Sequence, residues 1–195
     1  NGYFKKQILE VPEALHKDEG VREETTKEIL SQLKPAFKPD GVITAGNSSQ
    51  ISDGAAALLL VSEDILNKFN LEPIAKIKSM AVVGTDPVLM LSGPIPATRK
   101  ALDQAKLKPE DINLAEINEA FSSVVGAWRK EFPEINYENV NANGGSIAIG
   151  HPLGATGARL MTNLIHEMKR NKLKYGLQAI CEGGGTANAT IVELV

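Results

Sequence analysis

The residues best suited to chemistry centre on one histidine, His151, within a stretch rich in glycine that runs from Asn143 to Arg159. Glycine is used where the backbone needs a positive φ or where a ligand approaches closely, and it occurs here at Gly144, Gly145, Gly150 and Gly154. Since His151 precedes Pro152, we expect it in a turn or extended segment ahead of a helix. The free N–H groups at a helix start favour an oxyanion there. The alternative is a proline-started helix whose histidine is only a turn residue.

The single cysteine, Cys181, is the second candidate. A free cysteine is often a buried side chain that only packs. The run Gly183–Gly185 after it favours a functional reading, because consecutive glycines present backbone N–H groups without side-chain obstruction, as an oxyanion hole requires.

Asn118 follows a predicted short strand, as Cys181 does, and the glycine-rich stretch around His151 follows another. Ligands of α/β sheets gather at the carboxyl ends of strands, so we expect the three side chains to converge. A thiol, an imidazole and an amide suit acyl transfer. Asn118 could also serve as the N-cap of a helix beginning at Glu119.

Hydrophobic patterning predicts strands and helices that alternate behind these loops. The predicted strands are 55–61, 74–83, 114–117, a short one from Val140, 175–181 and 189–194, and the predicted helices are 23–33, 65–70, 94–105, 119–132 and 154–169. This order predicts a layered α/β domain with a mixed sheet and helices on both faces.

The composition narrows the class of protein. The 195 residues carry a net charge of −3 and contain no basic tract, so nucleic acid is not an expected partner. No apolar run approaches the roughly 18 residues of a membrane span, so no membrane partner is expected. One cysteine excludes an internal disulfide and a site made of several cysteines, and favours a reducing compartment. Because the sequence starts without Met or a signal peptide, we expect a fragment or a processed piece.

Five blocks of the sequence closely resemble signature blocks of the thiolase family, in family order: Thr44–Ala57, Gly93–Ala97, Asn118–Phe121, Gly144–Gly157 and Cys181–Gly185. The resemblance implies a layered α-β-α fold with a mixed five-stranded sheet, one half of a duplicated architecture. It also implies acyl transfer between coenzyme A thioesters, with acyl-CoA and CoA as substrates and no permanently bound cofactor or metal.

The resemblance also implies roles for individual residues. His151 would activate a nucleophilic cysteine, and Cys181 would move the proton at the substrate Cα or the CoA sulfur. Asn118 would hold a water that completes one oxyanion hole with His151, and the Gly183 amide would contribute to a second. The residues expected to bind CoA or the acyl group are Ser49, Met90, Ala120 and Phe121.

The departures from the family pattern concern the other half of the enzyme. Thiolases need a second cysteine that carries the acyl group, and this sequence has only Cys181. We therefore interpret residues 1–50 as the tail of the loop domain, 51–71 as the last strand and helix of the N-terminal half, and 72–195 as the C-terminal domain. Alone, the chain is expected to be inactive. The resemblance further implies a homo-oligomeric parent, cytoplasmic by default, with mitochondrion and peroxisome left open.

Two other readings compete with this one. The chain could be a non-catalytic CoA-binding or oligomerisation module that kept the loops. It could also be a ketoacyl synthase of the same fold superfamily, although those enzymes are not expected to carry the block that begins at Cys181.

Overall fold

The structure is a computed structural model that describes residues 2–195, without the side chain of Tyr3. Its strands are β1 (Ala75–Gly84), β2 (Leu114–Ile117), β3 (Tyr175–Cys181) and β4 (Thr186–Leu194). Its helices are α1 (Lys27–Ser31), α2 (Glu63–Phe69), α3 (Pro94–Ala105), α4 (Ser122–Glu131), α5 (Ser146–Ile149) and α6 (Thr156–Asn171).

The four strands of the described residues form one mixed sheet in the order β1-β4-β3-β2. The β1/β4 and β4/β3 pairs are antiparallel, and β2 runs parallel to β3. The α/β class with a mixed sheet is therefore confirmed. Where the turn after Cys181 closes, Cys181 lies opposite Ala187.

Helices cover both faces of the sheet, as the alternating pattern predicts. On one face, α3 and α4 pack a core around Trp128, which is fully buried and donates its Nε1–H to Thr98 Oγ1 (2.9 Å). On the other face, Leu164 and Met168 of α6 pack on Leu114 and Val192. The side of α6 that packs there is apolar at helical spacing, and its N-terminal end lies next to the residues that follow β2 and β3.

The expected five-stranded sheet is wrong by one strand, because the segment from Val140 forms a single bridge to Ala115. At Asn141 the backbone turns into the left-handed region (φ 51°). The Asn141 side chain makes the two hydrogen bonds to Ile117 that the backbone of a neighbouring strand would make. Ile117 N donates to Asn141 Oδ1 (2.8 Å), and Asn141 Nδ2 donates to Ile117 O (2.9 Å). A side-chain amide thus completes the edge of β2 where a strand was expected.

The predicted strand at 55–61 is also wrong, since these residues show no strand pairing and most are exposed. An apolar run suits a buried strand only where a neighbouring strand supplies hydrogen-bonding partners. No segment of residues 2–195 pairs with this one.

Several predicted helices are present in the structure with different boundaries. The expected helix at 23–33 shortens to α1, whose N-cap is Thr26. The helix predicted from Glu119 begins at Ser122, because residues 118–121 have other partners, described below. The short helix α5, just before Gly150, was not predicted.

Candidate active site

Asn118 lies directly after β2, with its backbone N–H bonded to Ala179 O of β3 (3.0 Å) and its residue surface only 1% exposed. Its side chain does not cap α4, whose N-cap is Phe121, so the alternative role for Asn118 is wrong. Instead Ser146 Oγ donates to Asn118 Oδ1 (2.7 Å). This bond directs the amide Nδ2 group of Asn118 toward His151.

His151 lies in the loop between α5 and α6, outside any helix. Its Nδ1 lies 2.6 Å from Thr156 Oγ1, and that hydroxyl donates its own hydrogen to Pro152 O (2.9 Å). Thr156 can therefore only accept from His151, so Nδ1 carries the imidazole hydrogen. Nε2 is left with a lone pair, which faces Asn118 Nδ2 at 3.4 Å.

Burial lowers the pKa of His151, and the positive charge of Arg159 lowers it further. The guanidinium also fixes the loop, because Nη1 donates to Ile149 O (3.0 Å) and Nη2 donates to Gly150 O. A lowered pKa keeps the imidazole neutral near pH 7, which a general base requires.

Cys181 ends β3 and is buried. Burial raises the pKa of its thiol and the negative charge of Glu182 raises it further, while hydrogen bonding to the cysteine backbone and to the Asn118 side chain lowers it. The Asn118 amide lies 3.4 Å from His151 Nε2, and Asn118 N bonds to Ala179 O, two residues before Cys181 in β3. Asn118 and His151 are therefore in contact at the end of β3 that carries Cys181, as expected.

Two glycines of the His151 stretch are required by close approaches. A Cβ at Gly145 would lie 2.2 Å from the carboxyl carbon of Glu119, whose Oε2 accepts from Ile147 N (3.0 Å). A Cβ at Gly150, where φ is 84°, would lie 2.2 Å from Ser52 Oγ. A side chain at Gly145 would push the Glu119 carboxylate off its bond to Ile147 N, and one at Gly150 would be strained by the positive φ as well as displacing Ser52.

The segment around residues 48–52 packs against this loop. His151 N donates to Gln50 O (2.9 Å), and Gln50 Nε2 donates to Ile147 O (3.1 Å). Ser49 N donates to Ala120 O (3.1 Å). Two of the predicted CoA-binding residues, Ser49 and Ala120, are therefore neighbours beside His151.

Phe121 belongs to the same group through its bridge to Ser48 and an edge-on ring contact with Phe37, with ring centroids 5.7 Å apart. Met90 does not join it through any contact described: it lies in the β1–α3 loop with φ 46°, and its amide donates to Asp86 O (2.8 Å). Gly183 begins the turn after Cys181.

The sequence interpretation missed the residues that orient the others: Thr156, Ser146 and Arg159. Each lies in or just after the glycine-rich block that was singled out, but their types alone carry no sign of a role. A threonine five residues after a histidine becomes informative only when the turn at Pro152 brings the two together.

No group of three or more histidine, cysteine or acidic side chains suited to a metal occurs in residues 2–195. A neutral imidazole with an exposed lone pair can accept a proton, and a protonated thiol of raised pKa can release one.

Comparison with known proteins assigns this arrangement to a family. Residues 71–194 match the family model described as the C-terminal domain of thiolase, and residues 1–64 match the one for the N-terminal domain. The chain belongs to the thiolase family, which confirms the resemblance drawn from the sequence blocks.

Relatives with similar sequences carry related names. The steroid 3-ketoacyl-CoA thiolase FadA6 of Mycobacterium tuberculosis is 49% identical over 98% of this chain and 47% of its own length. The 3-ketoacyl-CoA thiolase of Bacillus subtilis is 50% identical over 91% of the chain and 45% of its own length. The chain thus spans about half the length of the relatives it matches.

Solved structures agree. The acetyl-CoA acetyltransferase of Bacillus anthracis is 43% identical, with a TM-score of 0.93 over 100% of this chain and 51% of that one. Human mitochondrial 3-ketoacyl-CoA thiolase in complex with CoA is 39% identical, with a TM-score of 0.90 over 100% of this chain and 50% of that one. These matches confirm the layered thiolase fold.

Proposed function

We propose that this chain supplies the acid–base part of a thiolase active site that transfers acyl groups between coenzyme A thioesters, as acetyl-CoA C-acetyltransferase or in 3-ketoacyl-CoA thiolysis. The observation that carries the proposal is the contact between the Asn118 amide and His151 Nε2 (3.4 Å) beside the end of β3 that carries Cys181. Membership of the thiolase family supports the choice of substrate class.

In this proposal the Nε2 atom of His151 first accepts a proton and then donates a hydrogen bond. The lone pair on Nε2 accepts the proton of a nucleophilic cysteine, and the resulting N–H then donates to the thioester oxygen. The hydrogen bond from Nδ1 to Thr156 supports the first step, because it leaves Nε2 unprotonated. Asn118 supplies a second donor through a bound water.

Cys181 is the second proton carrier of the proposal. Its raised pKa keeps the thiol protonated near neutral pH, so it can protonate the acetyl-CoA carbanion released in thiolysis or the CoA thiolate released in condensation. The Cys181 thiolate then regains a proton from the CoA thiol in thiolysis, or from the Cα of acetyl-CoA in condensation. The turn that begins at Gly183 would provide the backbone donor to the second oxyanion.

Coenzyme A would bind along the segment that packs beside His151. Ser49 would contact its pantetheine arm, and Ala120 and Phe121 would line the acyl pocket with Met90. The backbone bond between Ser49 and Ala120 supports this placement for two of the four. The CoA complex of the human relative supports CoA as the ligand. No permanently bound cofactor is required.

The cysteine that carries the acyl group is not provided by these 195 residues, since their one cysteine is Cys181. We propose the division made from the sequence, with loop-domain residues at 1–50, the end of the N-terminal half at 51–71 and the C-terminal domain at 72–195. The parent is proposed to be a homo-oligomer in fatty acid metabolism, cytoplasmic unless an organelle signal precedes these residues.

The test compares the 195-residue chain with the protein encoded by its complete reading frame, using acetoacetyl-CoA and CoA. The complete protein should catalyse thiolysis, and Cys181→Ser and His151→Ala should each lower kcat by about 10³-fold or more. The chain alone should show none. His166→Ala, which changes an exposed histidine of α6, is the control and should leave kcat unchanged.

Thiolysis by the 195-residue chain, or full activity in the Cys181 variant, would overturn the proposal. CoA binding without turnover by the complete protein would instead favour a non-catalytic CoA-binding module.

A further inference from the structure

The turn between β3 and β4, residues 182–186, contains three consecutive glycines, and glycine permits many backbone conformations. Gly184 and Gly185 have positive φ angles of 73° and 84°. A Cβ at Gly183 or Gly184 would meet no atom within 4 Å, so side-chain packing does not require glycine at either position. The turn follows Cys181 directly, and hydrogen bonds from two sides hold its conformation.

One restraint comes from the end of β1. Both the amide N and the hydroxyl Oγ1 of Thr85 donate to Gly185 O, at 2.7 and 2.9 Å. A Cβ at Gly185 would lie 2.7 Å from Thr85 O, so only glycine fits there. These contacts hold the last glycine but do not reach the first.

The other restraint comes from the side chain of Glu182. Its Oε1 accepts from Asn188 Nδ2, and its Oε2 (3.2 Å) shares the hydroxyl hydrogen of Thr186 with Gly183 O (3.1 Å). Its backbone N–H also donates to Thr186 O (2.9 Å). The carboxylate therefore joins the residue before the glycines to two residues after them.

We propose that Glu182 is a positioning residue: by accepting hydrogen bonds from Thr186 and Asn188, its carboxylate holds the triple-glycine turn in the conformation seen next to Cys181. That this turn binds a thioester oxygen rests on the proposed function. The restraint itself depends only on these bonds.

Glu182 has a second, separable influence on the same site. Its charge acts on the Cys181 thiol and raises the pKa, in the same direction as burial. Replacing the carboxylate by an amide removes the charge but leaves an oxygen that can accept from Asn188, whereas alanine removes both. The two substitutions therefore distinguish holding the turn from tuning the thiol.

The experiment measures amide hydrogen exchange and cysteine alkylation in the 195-residue chain carrying Glu182→Gln or Glu182→Ala. Exchange at residues 183–186 should rise about tenfold or more in Glu182→Ala, because the bond from Asn188 and the shared bond from Thr186 are lost, and should rise less in Glu182→Gln. The pH profile of iodoacetamide alkylation should move to lower pH in both variants. The profile reports one thiol, since Cys181 is the only cysteine.

Two further variants complete the design. Asn188→Ala removes one donor and should raise exchange at 183–186 while leaving the charge of Glu182 in place, so its alkylation profile should move little. Glu131→Ala removes an exposed carboxylate of α4, paired with Arg99, and should change neither measurement. Fluorescence of Trp128 checks that each variant is folded.

Unchanged exchange in a folded Glu182→Ala chain, or equal exchange in the alanine and glutamine variants, would overturn the positioning role. Neither measurement depends on turnover. Failure of this inference is therefore distinguishable from failure of the proposed function, which the Cys181 and His151 substitutions test in the complete protein.

Discussion

At the scale of single residues, the site depends on which nitrogen of His151 carries the hydrogen. The Thr156 hydroxyl determines this, because its own hydrogen is bonded to Pro152 O and its lone pair is left for Nδ1–H. The imidazole is partly buried and neutral, and the lone pair of Nε2 faces Asn118. A threonine that touches no substrate thus sets the side of the ring on which a proton can be accepted.

Thr156→Val should remove the preference of His151 for the Nδ1–H tautomer, because valine keeps the shape of threonine but has no oxygen to accept the Nδ1 hydrogen. We expect the fraction of His151 in the Nδ1–H form to fall from nearly all to a minority. Long-range ¹H–¹⁵N spectra of the imidazoles measure it, with Gln substitutions at His16 and His166 to assign the signals.

Thr162→Val is the matched control on the same helix, since Thr162 bonds only to Ala158 O within α6 (2.8 Å). It should leave the His151 signals unchanged. A Thr156→Val protein that retains the Nδ1–H form would contradict the assignment of the tautomer.

At the scale of elements, β2 carries an acid that the site chemistry does not use. Glu116 is 1% exposed, and its Oε2 has no hydrogen-bond partner among the described residues. Burial raises the pKa of Glu116 to about 8, nearby Glu119 and Glu167 contribute in the same direction, and Arg159 opposes them. The carboxyl group is therefore protonated at neutral pH and faces the α6 side of the sheet, as Leu114 does.

This protonation makes folding depend on pH. The ordinary pKa of the glutamate is 4.5 and the folded-state value is about 8, so the native state binds the proton more tightly. Below pH 4.5 Glu116 is protonated in both states and should add no pH dependence to the free energy of unfolding. As the pH rises from 4.5 to 8, that free energy should fall by at most about 1.4 kcal/mol per pH unit. Urea unfolding followed by Trp128 fluorescence at pH 5 to 8 measures the slope.

Glu116→Gln should flatten that slope, because the amide cannot ionise. Glu134→Gln, which removes an exposed acid, should keep the slope of the unsubstituted chain. A slope that is the same with and without Glu116 would show that the buried carboxyl group finds a partner when it ionises.

At the scale of the whole molecule, two helical layers enclose one mixed sheet, but an apolar segment lies outside them. Residues 55–61 belong to no helix or strand, and within them Leu59 and Leu60 are 83% and 67% exposed. Contiguous exposed apolar surface of this kind favours association. No helix of residues 2–195 has the length and apolar character needed to cross a membrane.

We expect the 195-residue chain to self-associate through this segment. Light scattering after size-exclusion chromatography should give a mass above the 20.9 kDa of one chain. Leu59→Lys with Leu60→Lys should lower the mass toward one chain, because two charges repel a second copy. Val88→Lys, at another exposed apolar residue, is the control and should not.

A single-chain mass for the unsubstituted protein at 100 μM, together with slow amide exchange at 55–61, would contradict the prediction. Slow exchange in a monomer would mean that the segment is covered by its own chain.

The sequence alone determined the layered α/β class, the bounds of β2 and β3, and the three residues that converge. These follow from local information: apolar periodicity marks each element, and in an α/β sheet the carboxyl ends of strands meet at one edge. The five sequence blocks added the family, because together they are specific to thiolases, and the family models match the chain.

Only the tertiary structure decided the rest. It showed that the Asn141 side chain replaces a fifth strand, that residues 55–61 pair with nothing, and that Thr156 and Ser146 orient His151 and Asn118. Each of these depends on partners distant in sequence or on the direction of one hydrogen bond. Local propensity and spacing carry no information about such contacts, because the partners are brought together only when the chain folds.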